Sequence, residues 1–185
     1  MMSPEKVLRL YRFDTCGPFA VPVKSNQIID CPALKLFWAD VEKAHRSLGK
    51  AMGCYIFAIR SEVEELPWYV GKSEKQDFAS EAFQPHKILH YQDALEVAKE
   101  GIPILYLLPR LTEGGKYRRW TSPSPSVGRL EGMLIEAAKL RNPDLRNKNM
   151  FKHLTQTVVP GFMRDSRPRS LAADSLAALL GTNCR

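Results

Sequence analysis

The chain of 185 residues has no long hydrophobic run. Its longest apolar stretch, residues 102–108, is about half of the ~20 residues that a membrane-spanning helix needs. The first residues lack the uninterrupted apolar core and the small-residue cleavage site of a signal peptide. We therefore expect a cytoplasmic protein that does not associate with membranes.

Closely spaced cysteines are also lacking. The four cysteines, Cys16, Cys31, Cys54 and Cys184, are scattered along the chain. This spacing argues against a zinc site and against a disulfide framework. Free thiols agree with a cytoplasmic location.

The composition that remains is that of a globular protein, with 44% hydrophobic and 9% aromatic residues. The length favours one domain with elaborations, or at most two small domains. The formal net charge of +7 attracts polyanions, nucleic acid first and anionic membrane second. Mild basicity without a functional meaning stays open as the alternative.

Hydrophobic periodicity predicts strands at 53–60, 68–71 and 102–111, and helices at 32–49, 78–100, 128–141 and 170–180. Pro85 predicts a kink or a break in the second helix. Two shorter strands are expected at 7–13 and 19–23, with a break between them at 16–18. The short charged connector after residue 60 permits an antiparallel pair, which would bring Tyr55 and Tyr69 together.

Two basic segments are candidates for binding nucleic acid. In the predicted loop 112–127, the cations Lys116, Arg118 and Arg119 alternate with Tyr117 and Trp120. Such a segment can hold phosphates while an aromatic ring stacks on an unpaired base; the alternative is a surface loop whose tryptophan packs on the core. In segment 139–169, basic residues far outnumber acidic ones and predict a phosphate-binding surface; the candidates there include Arg141, Arg146, Lys148 and Lys152.

Glu131 is the most informative single residue. Leu134, Ile135 and Ala138 follow it at helical spacing, so its carboxylate lies beside the core-facing stripe. A carboxylate in that place must be ion-paired, hydrogen-bonded or bound to a cation. A salt bridge to a lysine or arginine and a metal site are both consistent with this position. Likewise, Tyr55 and Tyr69 are either ordinary strand aromatics or catalytic phenols, which need a metal or a cation to lower a pKa of ~10.

Several other motifs are excluded. Residues 71–73 read Gly-Lys-Ser, but a phosphate-binding loop needs a glycine at position 66, where Leu66 stands. His86 and His90 have the spacing of a metal pair without the glutamate or third ligand of a zinc protease. Lys87 and Tyr91 have the same spacing, so either pair can face the sheet. The chain shows no serine–histidine–acid set and no acidic cluster of the two-metal type.

Four motifs together resemble the GIY-YIG nuclease superfamily. Gly53-Cys54-Tyr55 is similar to its first motif and Tyr69-Val70-Gly71 to its second. Glu131, followed by Leu134 and Ile135, resembles its metal-binding glutamate, and residues 142–147 resemble the proline-to-asparagine segment that follows. The resemblance covers about residues 50–149.

This resemblance implies an α/β (α+β) fold: a small mixed, mainly antiparallel sheet flanked by helices. The nuclease-like domain would span 51–149, with a strand and helix elaboration at 1–50 and a basic helical extension at 150–185. It implies an endonuclease that hydrolyses phosphodiester bonds in DNA with one divalent cation, Mg²⁺ or Mn²⁺, on Glu131. Tyr55 would be the general base or orient the water, Tyr69 would position a phosphate or water, and Lys72 would contact the scissile phosphate.

The sequence departs from that family in one respect. The arginine expected on the helix after the second motif is absent, and Lys87 with Tyr91, or His86 with His90, would replace it. Lysine keeps the charge but loses the two-pronged phosphate contact. The alternatives are therefore a nucleic-acid-binding module that does not cleave, and a protein–protein partner acting through the last helix. RNA stays an alternative to DNA.

Overall fold

The computed structural model describes residues 10–147, the backbone of 157–158, and 170–181. In chain order the strands are β1 (Tyr11–Arg12), β2 (Cys16–Ala20), β3 (Gly53–Arg60), β4 (Glu65–Ser73), β5 (Ile102–Pro109) and β6 (Thr157–Val158). The helices are α1 (Leu34–Ala44), α2 (Phe78–Glu81), α3 (Pro85–Ala98), α4 (Pro125–Arg141) and α5 (Leu171–Leu180). A short 3₁₀ helix, Cys31–Ala33, leads into α1.

Four of these strands form one antiparallel sheet in the order β2-β5-β3-β4. The predicted antiparallel pairing of 53–60 with the following strand is confirmed, with Tyr55 opposite Gly71 and Phe57 opposite Tyr69. The parallel contact is the separate two-residue pair of β1 and β6. The expected antiparallel sheet flanked by helices is thus present, and β4 is one of its edges.

Helices cover both faces of the sheet. Tyr55 and Phe57 of β3 pack in one core cluster with Phe37 of α1 and Tyr91 of α3. The alternate residues of β3, among them Cys54 and Ile56, pack in a second cluster with residues of α4 and α5. Since β3 is covered on both sides, its almost continuous apolar sequence is explained.

Several element boundaries differ from the sequence predictions. The first helix is shorter than 32–49: it starts at Leu34 and ends at Ala44, where His45 is extended. β4 is longer than 68–71, because Pro67 lies at a register shift that keeps a proline tolerable in the strand. The break at Pro85 is confirmed, and the proline occupies the first turn of α3.

The predictions for the two ends of the chain hold in part. Residues 16–18 do not interrupt a strand but begin β2, with a register shift between Cys16 and Phe19. The C-terminal helix is confirmed as α5, whose Leu176, Leu179 and Leu180 join the core cluster of α4. Much of the basic segment 139–169 lies outside the described residues, as do Lys148 and Lys152. In the part of the chain that the structure describes, no helix is both long and apolar enough to span a bilayer.

Candidate active site at the edge of the sheet

The two motif strands meet at Gly71. A Cβ atom at Gly71 would lie 2.2 Å from Cζ of Tyr55, well inside contact distance. The tyrosine ring therefore lies flat against the glycine opposite it in the sheet. Tyr69, two residues earlier on β4, faces the same way, with ring centroids of the two tyrosines 6.4 Å apart.

Tyr55 is fully buried. Its side chain has no exposed surface, and its hydroxyl lies beside that of Tyr91 without forming a hydrogen bond of normal geometry. Burial, followed by the neighbouring Tyr91 and Tyr69, raises the pKa of Tyr55 well above its usual value. A phenol that stays protonated is poorly suited to act as a general base, so this environment disagrees with the base role expected for Tyr55.

Tyr69 has a cationic partner, Lys87. The Lys87 ammonium donates a hydrogen bond of 2.8 Å to the Tyr69 hydroxyl oxygen, and His90 stacks on the Tyr69 ring at 5.2 Å. Glu81 lies 3.8 Å from the same ammonium. Because Lys87 occupies the phenol oxygen as a donor, the hydroxyl proton of Tyr69 can be given to another acceptor. We call Tyr69, Glu81, Lys87 and His90 the Tyr69 cluster.

The structure resolves which helix residues face this cluster, and neither predicted pair does so as a pair. Tyr91 is buried in the core, where it stacks on Phe57 and donates to the Ala82 carbonyl. His86 is exposed. Lys87 and His90 are three residues apart on α3, and this i, i+3 spacing puts both on Tyr69.

Glu131 belongs to a second cluster, on the other face of β4. Its carboxylate is 3.2 Å from the Lys72 ammonium, which is also 3.1 Å from Glu74. Gly128, one turn earlier on α4, leaves room for that ammonium: a Cβ there would lie 3.4 Å from Lys72 Nζ. The salt-bridge alternative for Glu131 is thus what the structure shows. We call Lys72, Glu74 and Glu131 the Lys72 cluster.

The charges within the Lys72 cluster are not balanced. Burial raises the pKa of Glu131, and the attraction of Lys72 offsets this only in part. Burial by itself lowers the pKa of Lys72, but Glu131 and Glu74 outweigh it, so the net pKa is raised. The charge of Lys72 is compensated by two carboxylates. Glu131 shares this one cation with Glu74, so its carboxylate can interact with a further cation.

The two clusters lie on opposite faces of β4, so the expected catalytic tyrosines and the expected metal-binding Glu131 do not share one face of the sheet. Alternation along the strand directs Tyr69 and Gly71 to one face and Lys72 to the other. Among the described residues, no hydrogen bond or ion pair joins Glu131 to Tyr55 or Tyr69. The clusters nevertheless act on each other, because the charge of Lys87 lowers the pKa of Glu131.

The edge itself is covered by the segment that follows α4. The Asn147 side chain accepts from the Val70 amide at 2.8 Å and donates to the Val70 carbonyl at 2.7 Å. Next to it, the Arg146 amide donates to the Trp68 carbonyl, and Asn142 donates to the Pro67 carbonyl. This segment supplies hydrogen-bond partners for the backbone groups at the edge of β4, between the two clusters, and thereby keeps the clusters apart.

α4 is attached to β3 by a buried cysteine. Cys54, the middle residue of the first motif, donates from its thiol to the Val127 carbonyl at 3.3 Å. Burial raises the pKa of this thiol well above its usual value, so it remains a donor. Val127 is four residues before Glu131, so this hydrogen bond helps to fix the position of the Glu131 carboxylate over the sheet.

Glu131 with Glu74 gives the oxygen donors that a divalent cation prefers. In the described residues, no group of three or more histidine, cysteine, aspartate or glutamate side chains is placed to hold a metal ion. A site of the type expected here needs less, because substrate and water would complete the coordination. The partly exposed, under-compensated Glu131 fits such a site, provided that Lys72 moves or shares the carboxylate.

The predicted nucleic-acid-binding residues lie in different environments. Lys116 and Arg119 are exposed, whereas Arg118 is half-buried. Arg141 pairs with Glu64 at 3.1 Å, and Arg146 lies over Trp68 and donates to the Asp93 carbonyl. Trp120 is 43% exposed, but Tyr117 packs inward against Cys16 and His45. Trp120 therefore does not pack on the core as the alternative required, and the nucleic-acid role of this loop stays a prediction.

Sequence reasoning missed Glu74 and Glu81. Glu74 stands two residues after Lys72, and the two-residue period of a strand puts both on one face. That spacing was available in the sequence. Glu81 lies before the Pro85 break, and only the packing of α2 against β4 brings it to Lys87.

Comparison of the chain with models of protein families, with curated proteins and with solved structures finds no match.

Proposed function

We propose that the protein is a metal-dependent endonuclease that hydrolyses phosphodiester bonds in DNA at the edge of β4. The observation that carries this proposal is the hydrogen bond between Lys87 and Tyr69, near a lysine-bound Glu131 on the other face of β4 whose pKa the charge of Lys87 lowers. The pattern of short motifs that resembles GIY-YIG nucleases supports the same assignment, as does the net positive charge.

In this proposal each cluster has its own task. Glu131, with Glu74 close by, would hold Mg²⁺ or Mn²⁺. When bound, the cation would polarise the phosphate and stabilise charge on the leaving oxygen. Tyr69 would donate a hydrogen bond to a phosphate oxygen, and Lys87 would hold the phenol in place and neutralise the phosphate. Lys72 would contact the scissile phosphate once released from Glu131.

Tyr55 has a different part in this proposal from the one that the resemblance implies. Its buried ring packs against Gly71 and lies near Tyr69. It would therefore be a positioning residue, whose packing fixes where the Tyr69 ring lies. The proton released by the attacking water would go to a group other than Tyr55.

A nucleic-acid-binding module without cleavage is the second candidate. Two observations favour it: the Lys72 ammonium forms an ion pair with the Glu131 carboxylate, and Tyr55 is buried. In this case Lys72 would act as a permanent counter-charge and Glu131 would have no metal.

The two candidates are separated by incubating the protein with single- and double-stranded DNA and RNA in Mg²⁺, in Mn²⁺ and in EDTA. The nuclease predicts cleavage of DNA in a divalent cation and none in EDTA. Binding of these nucleic acids without cleavage under any of these conditions would instead establish the second candidate.

A further inference from the structure

A second concentration of positive charge lies away from both clusters. A cavity of about 230 Å³ is lined by three arginines, Arg12, Arg110 and Arg118, with Tyr11 and Thr112 between them. The single acidic residue of its lining, Glu113, is exposed, so water screens its charge and it offsets the arginine charges only weakly. We call this cavity the arginine pocket.

The backbone holds the three arginines together. They come from three adjacent extended segments: the Leu111 amide donates to the Arg12 carbonyl at 2.8 Å, and the Arg118 amide donates to the Arg110 carbonyl at 2.8 Å. Isolated bridges pair Phe13 with Arg110 and Leu111 with Tyr117. The convergence of charge is therefore built into the fold and does not depend on flexible side chains meeting by chance.

Arg110 forms the rigid base of the pocket. It is only 8% exposed, its guanidinium donates to the Ser124 hydroxyl, and it lies 4.8 Å from the centre of the Tyr11 ring. Ser124 is the residue before α4. The base of the pocket is thus anchored to the helix that carries Glu131.

The other two arginines have unused donors. Within the described part of the chain, neither Arg12 nor Arg118 takes part in an ion pair. Nε of Arg118 is buried and lacks a hydrogen-bond partner there. Arg12 and Arg118 both line the pocket, where a bound oxyanion would accept hydrogen bonds from guanidinium donors.

The pocket lies at the same end of the sheet as the Lys72 cluster. Leu108, Cys54 and Lys72 form one row across β5, β3 and β4, and Arg110 follows Leu108 by two residues. Strand spacing and rise put the backbones of Arg110 and Lys72 about 12 Å apart. Each strand of a duplex advances about 3.4 Å along the helix axis per nucleotide, so this distance corresponds to a few nucleotides.

We propose that the arginine pocket binds a backbone phosphate of the nucleic acid, a few nucleotides away from the phosphate at Glu131. Three guanidinium groups supply the directional donors that a tetrahedral phosphate accepts, and arginine makes such contacts in two-pronged form. This assignment rests on the proposed function for its ligand, but the pocket itself does not require cleavage. It would hold the strand in register while the Lys72 cluster acts on the scissile bond.

The test measures binding in EDTA, so that the result does not depend on catalysis. Inorganic phosphate and a fluorescent single-stranded 12-nucleotide DNA are titrated against the wild type, Arg12→Gln, Arg118→Gln and Arg118→Lys. Lys35→Gln, which removes one exposed charge from α1, is the matched control. Circular dichroism of each variant verifies that it is folded.

We expect Arg118→Gln to weaken phosphate binding by about tenfold or more, because it removes charge-assisted hydrogen bonds. DNA affinity should fall with it, and the slope of log affinity against log salt should decrease in magnitude by at most about 0.7, the contribution of one phosphate contact. Arg118→Lys should restore part of both affinities, and Lys35→Gln should leave both unchanged. Equal phosphate binding by wild type and Arg118→Gln would overturn the pocket.

A loss of phosphate binding with unchanged DNA binding would overturn the assignment to nucleic acid and show that the pocket takes free phosphate. Because these titrations lack a divalent cation, their outcome is separate from that of the cleavage assay. A protein that fails to cleave but binds DNA through Arg118 would refute the proposed nuclease and keep the pocket.

Discussion

At the scale of single residues, the glycine of the second motif has a steric reason. Gly71 is opposite Tyr55, and the tyrosine ring occupies the space that any side chain at position 71 would need. The two motifs are therefore one packing unit, in which the first supplies a ring and the second makes room for it. Only a residue without Cβ allows Tyr55 to stay buried at this height.

Gly71→Ala should lower the free energy of unfolding by about 2–3 kcal/mol, because the new methyl group overlaps a ring that is packed on all sides. Urea denaturation measures this change. Gly114→Ala is the control, since nothing lies within 4 Å of a Cβ there, and its effect should stay within about 0.5 kcal/mol. Equal stability of the two variants would show that Tyr55 does not pack on Gly71.

Lys87 should be essential for cleavage, because its ammonium donates a hydrogen bond to the Tyr69 hydroxyl and its charge lowers the pKa of Glu131. Lys87→Met should reduce the single-turnover rate on DNA by roughly a hundredfold, the usual cost of removing one group that stabilises developing charge. His86→Gln changes an exposed neighbour on the same helix and should cleave like the wild type. A larger loss from His86→Gln than from Lys87→Met would contradict the placement of Lys87 in the site.

At the scale of secondary-structure elements, β4 is the organising strand. It carries Tyr69 on one face and Lys72 on the other, and its free edge is closed by the segment after α4. Val70 between them is fully buried. Its backbone groups therefore depend on the Asn147 amide for hydrogen bonds on that edge.

Asn147→Ala should destabilise the protein by about 2 kcal/mol, because two buried backbone groups of Val70 lose their partner. Amide hydrogen exchange should become faster at Val70 in particular. Asn26→Ala, in an exposed turn, should change neither quantity. Unchanged exchange at Val70 in Asn147→Ala would show that this side chain does not close the edge.

The sequence predicted these elements well where one period dominated. The apolar run of β3, the break at Pro85 and the stripe of α5 are each set by local pattern, and each is confirmed. Boundaries set by tertiary contacts were missed: Pro67 lies inside β4 because β3 shifts register opposite it. The same distinction holds in the candidate site. The sequence was enough to predict that successive side chains of β4 point to alternate faces. The contact between Lys87 and Tyr69 could not be predicted in this way, because it depends on how α3 packs.

At the scale of the whole molecule, charge and topology act together. The excess of positive charge is spread over the chain, yet the described cations near the sheet fall into distinct sets. Arg141 and Arg146 are engaged by the protein itself, whereas the arginine pocket and the exposed Lys116 and Arg119 are the proposed binding sites for a polyanion. Composition indicated a polyanion as the partner, but only the fold distinguishes structural cations from candidate binding ones.

The placement of Glu131 is also a property of the whole fold. The Cys54 thiol attaches α4 to the central strand, Gly128 admits Lys72, and the carboxylate then lies at the same end of the sheet as the arginine pocket. A glutamate at a core edge could be recognised from the sequence. Its partner Lys72 and the sheet that separates it from Tyr55 could not, because both follow from strand pairing.

The most direct test of the nuclease proposal is the DNA cleavage rate of Glu131→Gln beside that of Glu136→Gln, in Mg²⁺ and in Mn²⁺. Both changes remove one negative charge from α4, but only Glu131 belongs to the Lys72 cluster. We predict that Glu131→Gln lowers the rate roughly a hundredfold to a thousandfold, while Glu136→Gln cleaves at the wild-type rate. Equal cleavage by the two variants would contradict the role of Glu131 as the metal-binding carboxylate.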